Sequence, residues 1–155
     1  MAVRMELSRI LIRELNDYQI IELREVSEGN EAKAPSASVY DASDEGGHSR
    51  SFPIVIGLPE AQSIERRLKG ITIKRPQTHD LLSSVIDKLG ATLESITIND
   101  LSDHTFFATL DVTAADGQKL HIDSRPSDAI ALGIAGGVPI YVAEHVLEAA
   151  TRDEV

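Results

Sequence analysis

Apolar and polar residues alternate along the chain at two different periods, which predict strands and helices. Alternation every second residue is typical of a strand with one buried face, and apolar residues three and four apart are typical of an amphipathic helix. The chain contains seven runs that predict strands, at residues 3–13, 18–27, 52–57, 93–101, 106–112, 120–123 and 139–143. It contains four runs that predict helices, at residues 59–69, 77–89, 129–135 and 145–150.

The order of these runs predicts one α+β domain with a mostly antiparallel mixed sheet and about four helices. The turns Asn16-Asp17 and Asp116-Gly117 would each join two consecutive strands as a hairpin. The helix at 129–135 is apolar nearly all round, so it should be central. Residues 28–50 break both periods and predict a long loop or insert, or an extended hairpin around residues 38–40. Residues 151–155 predict a tail. At 155 residues, the whole chain, 1–155, is most simply a single domain.

Composition narrows the classes of protein to which the chain can belong. There is no Cys, which excludes a disulfide framework, a Cys-based zinc site and a Cys nucleophile. No apolar run approaches the roughly 18 residues of a membrane span, and charges interrupt the N-terminal apolar residues, so we expect a cytoplasmic protein without a membrane partner. The net charge is −10, which gives little general attraction to nucleic acid unless a cation or a basic patch offsets it.

Two short segments place Arg, Pro, a hydroxyl residue and Asp at the start of a predicted helix. They read RPQTHD at residues 75–80 and RPSD at residues 125–128. Pro suits the first helical position, Thr78, Ser124 or Ser127 could cap backbone N–H groups, and Asp suits the positive helix end.

The arginines of these segments are not explained by helix chemistry, because a cation is unfavourable beside a positive helix end. Arg75 and Arg125 therefore need an anion, which could be an Asp of the same segment or a bound phosphate. A basic patch ends at the first residue of the first segment, and its simplest interpretation is a solvated helix end. Its members are Arg66, Arg67, Lys69, Lys74 and Arg75.

Four runs together resemble the bifunctional nuclease family, a small α+β domain also catalogued as a domain of unknown function. They are FPIVIGLPEAQSI (52–64), RPQTHDLL (75–82), IDSRPSDAIALGI (122–134) and PIYV (139–142). The resemblance covers about residues 50–150, and the segment at 28–50 is an insert that shorter members lack. It implies hydrolysis of DNA and RNA and a homo-oligomer, but it brings no established catalytic set.

The candidate site residues follow from the chemistry of phosphodiester hydrolysis. Such a reaction needs an activated water and charge stabilisation on the phosphoryl oxygens, which a divalent metal or a His with cationic side chains can supply. The candidates for catalysis are His79, Asp80, Asp123 and Asp128. The candidates for phosphate binding are Arg75, Thr78, Arg125 and Ser127. The candidates for holding Mg²⁺ or Mn²⁺ are Glu60, Asp80, Asp123 and Asp128.

Two functions compete on these residues. The first is a metal-assisted nuclease in which the two Arg-Pro segments meet at one open cleft. The second is a non-catalytic homo-oligomeric binding or regulatory module in which the same Arg and Asp residues form structural salt bridges. In the first case these side chains should converge on a cleft, and in the second they should pair off and be buried.

Overall fold

The computed structural model describes residues 1–13, 18–26 and 49–152. Its strands are β1 (Ala2–Leu11), β2 (Gln19–Glu25), β3 (Ser51–Ile56), β4 (Thr92–Ser102), β5 (Thr105–Thr113), β6 (Lys119–Ser124) and β7 (Ile140–Ala143). Its helices are α1 (Leu58–Lys69), α2 (Thr78–Lys88), α3 (Pro126–Gly133) and α4 (Glu144–Arg152), and a short 3₁₀ turn (Ile134–Gly136) follows α3. Each predicted element lies within a few residues of an observed one, and the α+β class is confirmed.

The seven described strands form one sheet in the order β3-β2-β1-β7-β4-β5-β6. Strands β1 to β3 form one antiparallel meander, and β4 to β6 form a second one. Strand β7 joins the two, antiparallel to β1 and parallel to β4. The prediction that most sheet neighbours are antiparallel is therefore confirmed.

The helices cover one face of this sheet, which curves around α3. Every residue of α3 except Asp128 is buried, as its all-round apolar pattern predicts. The rings of Phe52 and Phe106 stack with their centroids 5.4 Å apart, although β3 and β5 are five positions apart in the sheet. The two edges of the sheet are thereby brought close together beside the start of α3. Within the described ranges, no helix is long and apolar enough to span a membrane.

The apolar stripe of an amphipathic helix usually faces the core, but the stripe of α2 does not. It has no buried residue at all. Its most exposed apolar side chains are those of Leu81, Leu82 and Val85, together with Leu89 at its C-cap, which is 73% exposed. The stripe that identifies α2 as a helix therefore lies on the protein surface.

The starts of α2 and α3 correct the predicted caps. The N-caps are Gln77 and Arg125, and neither Thr78 nor Ser127 occupies that position. Asp80 and Asp128 are each the third residue of their helix, and the Gln77 N–H donates to Asp80 Oδ2 at 3.1 Å. Arg125 is the N-cap of α3, whereas Arg75 precedes the N-cap of α2 by two residues, so the two Arg-Pro segments are offset by two residues relative to their helices.

The connections and the ends complete the described structure. Asp103 and His104 have left-handed φ angles of 50° and 62° and form the tight turn between β4 and β5. Helix α4 continues to Arg152, so the first two residues of the predicted tail are helical. The turn at 16–17, nearly all of the 28–50 segment and residues 153–155 lie outside the described residues.

Candidate functional site

Arg125 and Asp128 form the centre of the candidate site at the start of α3. Arg125 Nε donates to Asp128 Oδ2 at 2.7 Å, and Arg125 Nη2 donates to Asp128 Oδ1 at 3.1 Å. The same Nη2 donates to Glu60 Oε1, in the first turn of α1, at 2.9 Å. A cation at the N-cap is thus balanced by two carboxylates, which answers the question of why an arginine stands beside a positive helix end.

His79 connects this centre to α1. Its Nε2 lies 2.9 Å from Asp128 Oδ1, and its Nδ1 lies 2.8 Å from Ser63 Oγ. A carboxylate can only accept, so Nε2 carries a proton, and in the neutral ring Nδ1 then accepts from the Ser63 hydroxyl. His79 is the second residue of α2, so one imidazole ties together the three helices α1, α2 and α3.

The electrostatics keep Asp128 ionised. Burial raises the pKa of Asp128, but the hydrogen bonds from Arg125 and His79 outweigh burial and leave that pKa below its ordinary value. The paired carboxylates of Asp128 and Glu60 raise the pKa of Arg125 above its ordinary value. The Arg125 side chain is 64% exposed, and its Nη1 makes no hydrogen bond to any described residue. It therefore keeps two N–H donors that can reach an anion from solvent.

A groove of about 690 Å³ opens beside this network, between α2, α3 and the edge of the sheet. His79, Asp123, Arg125 and Asp128 lie along its polar part. Its remaining wall is largely apolar and includes Leu82, Ile86, Phe106, Phe107, Leu110 and Ile122. Together with Thr78, five candidate site residues thus line a single open groove.

Asp80 lies outside this network and holds the helices together. Arg67 Nη1 donates to Asp80 Oδ1 at 2.6 Å, and Arg66 Nη2 donates to Asp80 Oδ2 at 2.7 Å. Arg67 also donates to the carbonyl oxygens of Ala131 and Leu132, near the C-terminal end of α3. The Arg67 side chain is only 9% exposed. The interpretation of Arg66 and Arg67 as part of a solvated helix end is therefore wrong.

The other candidates occupy separate positions. Arg75 lies in the exposed connection between α1 and α2, and we find no ion pair for it in the described part of the chain. Thr78 lines the groove at the start of α2, and Asp123 lines it from β6. Ser127 is buried and lines a neighbouring cavity of about 540 Å³ beside β3. The two Arg-Pro segments meet through His79 and Asp128, and not through their arginines.

The proposed set of four metal ligands does not form one cage. Glu60 and Asp128 both bind Arg125, whereas Asp80 binds Arg66 and Arg67. Among residues 1–13, 18–26 and 49–152, no three His, Asp or Glu side chains are grouped so that they could hold a metal. Asp123 is two residues from His121 on β6, so its side chain lies on the uncovered face of the sheet with His121, whereas Leu110 and Ile122 face the groove. Asp128 is therefore the groove carboxylate that could share an ion with a bound phosphate.

Sequence reasoning missed two polar features. Ser63 is buried in α1 and lies 2.8 Å from His79 Nδ1, and no sequence signal marks it. On the uncovered face of the sheet, Asp111 accepts from Thr97 Oγ1 at 2.6 Å, Ser95 Oγ at 2.8 Å and His121 Nδ1 at 2.8 Å. Burial raises the pKa of Asp111, but these hydrogen bonds outweigh it and leave the pKa lowered. Asp111 thereby ties together three neighbouring strands.

Comparison with known proteins identifies relatives of this chain. The family model of the bifunctional nuclease domain matches residues 43–154. An uncharacterized protein of Mycobacterium tuberculosis, from strains CDC 1551 and H37Rv, is 41% identical over 98 residues, which are 63% of this chain and 57% of that protein. Bifunctional nuclease 2 of Oryza sativa subsp. japonica is 27% identical over 100 residues, which are 63% of this chain and 31% of that protein. The aligned part is therefore less than two thirds of each relative's own length.

Proposed function

Since the chain belongs to the bifunctional nuclease domain family, we propose that it is a nuclease that hydrolyses phosphodiester bonds of DNA and RNA in the groove beside α2. The observation that carries this proposal is the Arg125–Asp128–His79 network at the polar part of that groove. It offers a cation with free donors next to an ionised carboxylate. The cation can bind a phosphodiester oxygen, and the carboxylate can orient the attacking water.

Each side chain of the network has a separate role in this proposal. Arg125 binds a phosphoryl oxygen through Nη1 while Nε and Nη2 stay on Asp128 and Glu60. Asp128 accepts a hydrogen bond from the attacking water, since its lowered pKa leaves it ionised at neutral pH. His79 holds the Asp128 carboxylate in place, because both of its ring nitrogens are engaged.

A divalent cation, Mg²⁺ or Mn²⁺, is part of the proposal. Arg125 is paired with two carboxylates, Asp128 and Glu60, so a phosphodiester that approaches it meets net negative charge. Mg²⁺ commonly binds through one or two carboxylates together with substrate phosphates, and it would offset that charge. Asp128 is the residue of the groove that would hold it.

Cleavage assays with matched variants test this proposal. The purified protein is incubated with single-stranded RNA or double-stranded DNA in the presence of Mg²⁺, Mn²⁺ or EDTA. We expect metal-dependent cleavage that falls about 100-fold or more in Asp128→Asn. The control is Asp87→Asn, which removes a carboxylate from the exposed side of α2 and should keep full activity. A folded Asp128→Asn variant that cleaves at the wild-type rate would refute this site.

A second candidate function is a non-catalytic binding module, and the position of Asp80 favours it. Asp80 is paired with two arginines that are largely shielded from solvent, which is what a structural role requires. The same assays separate the two functions. A wild-type protein that does not cleave either substrate with either metal, and whose Asp128→Asn variant only unfolds more easily, would identify the network as structural.

A further inference from the structure

The cavity of about 540 Å³ beside β3, which we name the β3 cavity, takes no part in the proposed reaction. Its volume is typical of pockets that hold small molecules. Residues 53–57, which include most of β3, line one side of it. Because successive residues of a strand point to opposite faces, this wall is the backbone edge of β3 and not one of its faces. β3 is the end strand of the described sheet, so this edge offers backbone N–H and C=O groups that pair with no other described strand.

Arg125 lies between the β3 cavity and the groove, because it lines both of them. Thr105 and Phe106 also line both spaces. A phosphodiester joins two nucleosides. When Arg125 binds that phosphodiester, one nucleoside can therefore lie on the groove side, and the other can enter the β3 cavity.

The charge of its lining suits the β3 cavity to an uncharged group. Among the residues that the structure describes, no Asp or Glu lines this cavity. Arg125 is the single Lys or Arg of this described lining, and it is already paired with Glu60 and Asp128. A second phosphate would therefore meet a cation that other carboxylates already neutralise, whereas a nucleobase carries no charge and needs no counterion.

Aromatic rings form part of the same lining. Tyr18, His104 and Phe106 all border the β3 cavity, and Tyr18 is 53% exposed. Phe106 already stacks on Phe52, and His104 has no ion pair or hydrogen bond within the described chain. Unpaired bases of single strands commonly bind by stacking on such rings, which accept any base. Tyr18 therefore keeps free surface on which a base can stack.

Ser127 supplies a hydroxyl group without a partner. The residue is only 6% exposed, and its Oγ makes no hydrogen bond to any residue that the structure describes. This oxygen is not sealed from solvent, so it is reached through the β3 cavity that Ser127 lines. A buried hydroxyl that lacks a partner costs free energy in the unliganded protein. A ligand with a donor or acceptor at this point would remove that cost, and the edges of all nucleobases carry such groups.

We propose that the β3 cavity binds the base of an unpaired nucleotide that adjoins the phosphodiester on Arg125. The base stacks on Tyr18 and forms a hydrogen bond with Ser127 Oγ. This inference rests on the proposed nuclease function and specifies its substrate as a single strand at the site of cleavage. A base of a duplex is paired and stacked on its neighbours, so it cannot enter the cavity without leaving the duplex.

Binding to the full chain, followed by ¹H–¹⁵N NMR, tests the cavity without any cleavage. The probes are adenosine 5′-monophosphate and ribose 5-phosphate, each titrated in the presence of Mg²⁺. The two probes share the sugar and the phosphate, so the base is the difference between them. We expect adenosine monophosphate to bind at least about 5-fold more tightly and to shift the amide signals of Tyr18, residues 54–57 and Ser127. Ribose 5-phosphate should leave the signals of residues 54–57 unchanged.

Three variants assign the contacts of the base. Tyr18→Ala should weaken the binding of adenosine monophosphate at least about 5-fold, and Tyr18→Phe, which keeps the ring, should bind like the wild type. Ser127→Ala should weaken it about 2- to 10-fold. Because the hydroxyl has no partner in the free protein, Ser127→Ala should not lower Tm, and a lower Tm would overturn its assignment to the ligand. The control is Ser84→Ala on α2, outside the β3 cavity, which should leave binding unchanged.

Cleavage of a labelled DNA strand, alone or annealed to its complement, tests the requirement for a single strand. We expect the duplex to be cleaved at least about 10-fold more slowly, because a base must first leave the stack. Equal cleavage of the strand and the duplex overturns the inference.

The binding and cleavage results separate this inference from the nuclease function. Equal binding of the two probes, or binding that neither Tyr18→Ala nor Ser127→Ala weakens, overturns the role of the β3 cavity even in a protein that cleaves. Base-dependent binding through Tyr18 and Ser127, in a protein that cleaves neither DNA nor RNA, supports the cavity and overturns the nuclease function instead.

Discussion

Replacing Asp80 by Asn should destabilise the fold strongly, although α2 has no buried residue. Asp80 binds Arg66 and Arg67, whose side chains are 14% and 9% exposed, and its own side chain is 19% exposed. A pair exposed to water contributes at most about 1 kcal/mol, whereas breaking a buried pair costs about 3–5 kcal/mol. This pair is intermediate in exposure but has two cations, so we expect a loss of roughly 3 kcal/mol.

Asn is the suitable replacement because it removes the charge but keeps a side-chain oxygen for the Gln77 N–H. The free energy of unfolding is measured by urea titration at pH 7, followed by circular dichroism. In a thermal melt, the same loss should lower Tm by about 9 °C for a chain of this size, at about 3 °C per kcal/mol. The control is Asp87→Asn on the exposed side of α2, which should change stability by less than about 0.5 kcal/mol. A loss below about 1 kcal/mol in Asp80→Asn would refute the reasoning, since it would make the pair equivalent to a surface salt bridge.

Three further predictions concern other parts of the molecule. Stability should fall as the pH drops below about 4, because the pKa values of Asp80, Asp111 and Asp128 are lowered from an ordinary 3.8 in the folded state, so the unfolded chain binds more protons there. Urea titrations between pH 3 and pH 7 measure this, and a stability that is flat below pH 4 would contradict it. Gly133→Ala should cost about 1–3 kcal/mol, because its Cβ would lie 2.7 Å from Ile96 Cδ1, whereas Gly136→Ala has no contact closer than 3.9 Å and should be nearly neutral. In ¹⁵N NMR of neutral His79, Nδ1 should be unprotonated and Nε2 protonated, and Ser63→Ala should shift the Nδ1 resonance; a ring protonated at Nδ1 alone would exclude the assigned hydrogen bonds.

The fold could largely be predicted because its elements follow from periodicity and turn chemistry. The alternation of β5 and the all-round apolar pattern of α3 reflect local burial, which each segment carries in its own sequence. The stripe of α2 shows the limit of this reasoning. Periodicity identifies a helix with an apolar side, but it does not say whether that side meets the core of the same chain.

Part of the candidate site could be predicted, because the sequence gives the residue types and their spacing. It does not specify which side chains pair with each other in the folded chain. Glu60, His79, Arg125 and Asp128 do come together, but Asp80 occupies the same helix position as Asp128 and has different partners. The difference arises from α1, whose Arg66 and Arg67 reach Asp80. The spacing of the Arg-Pro segments does not specify that contact. The sequence does not indicate the burial of Ser63 either.

The position of β7 has a consequence for how the chain acquires its structure. Among the described strands it comes last in the sequence, yet it lies in the middle of the sheet, between β1 and β4. The two meanders have no direct strand pairing with each other, so each can form early, but they cannot join until residues 140–143 arrive. Contacts between segments so far apart in the sequence slow folding. We therefore expect the facing edges of β1 and β4 to stay unpaired during folding until β7 pairs with both strands.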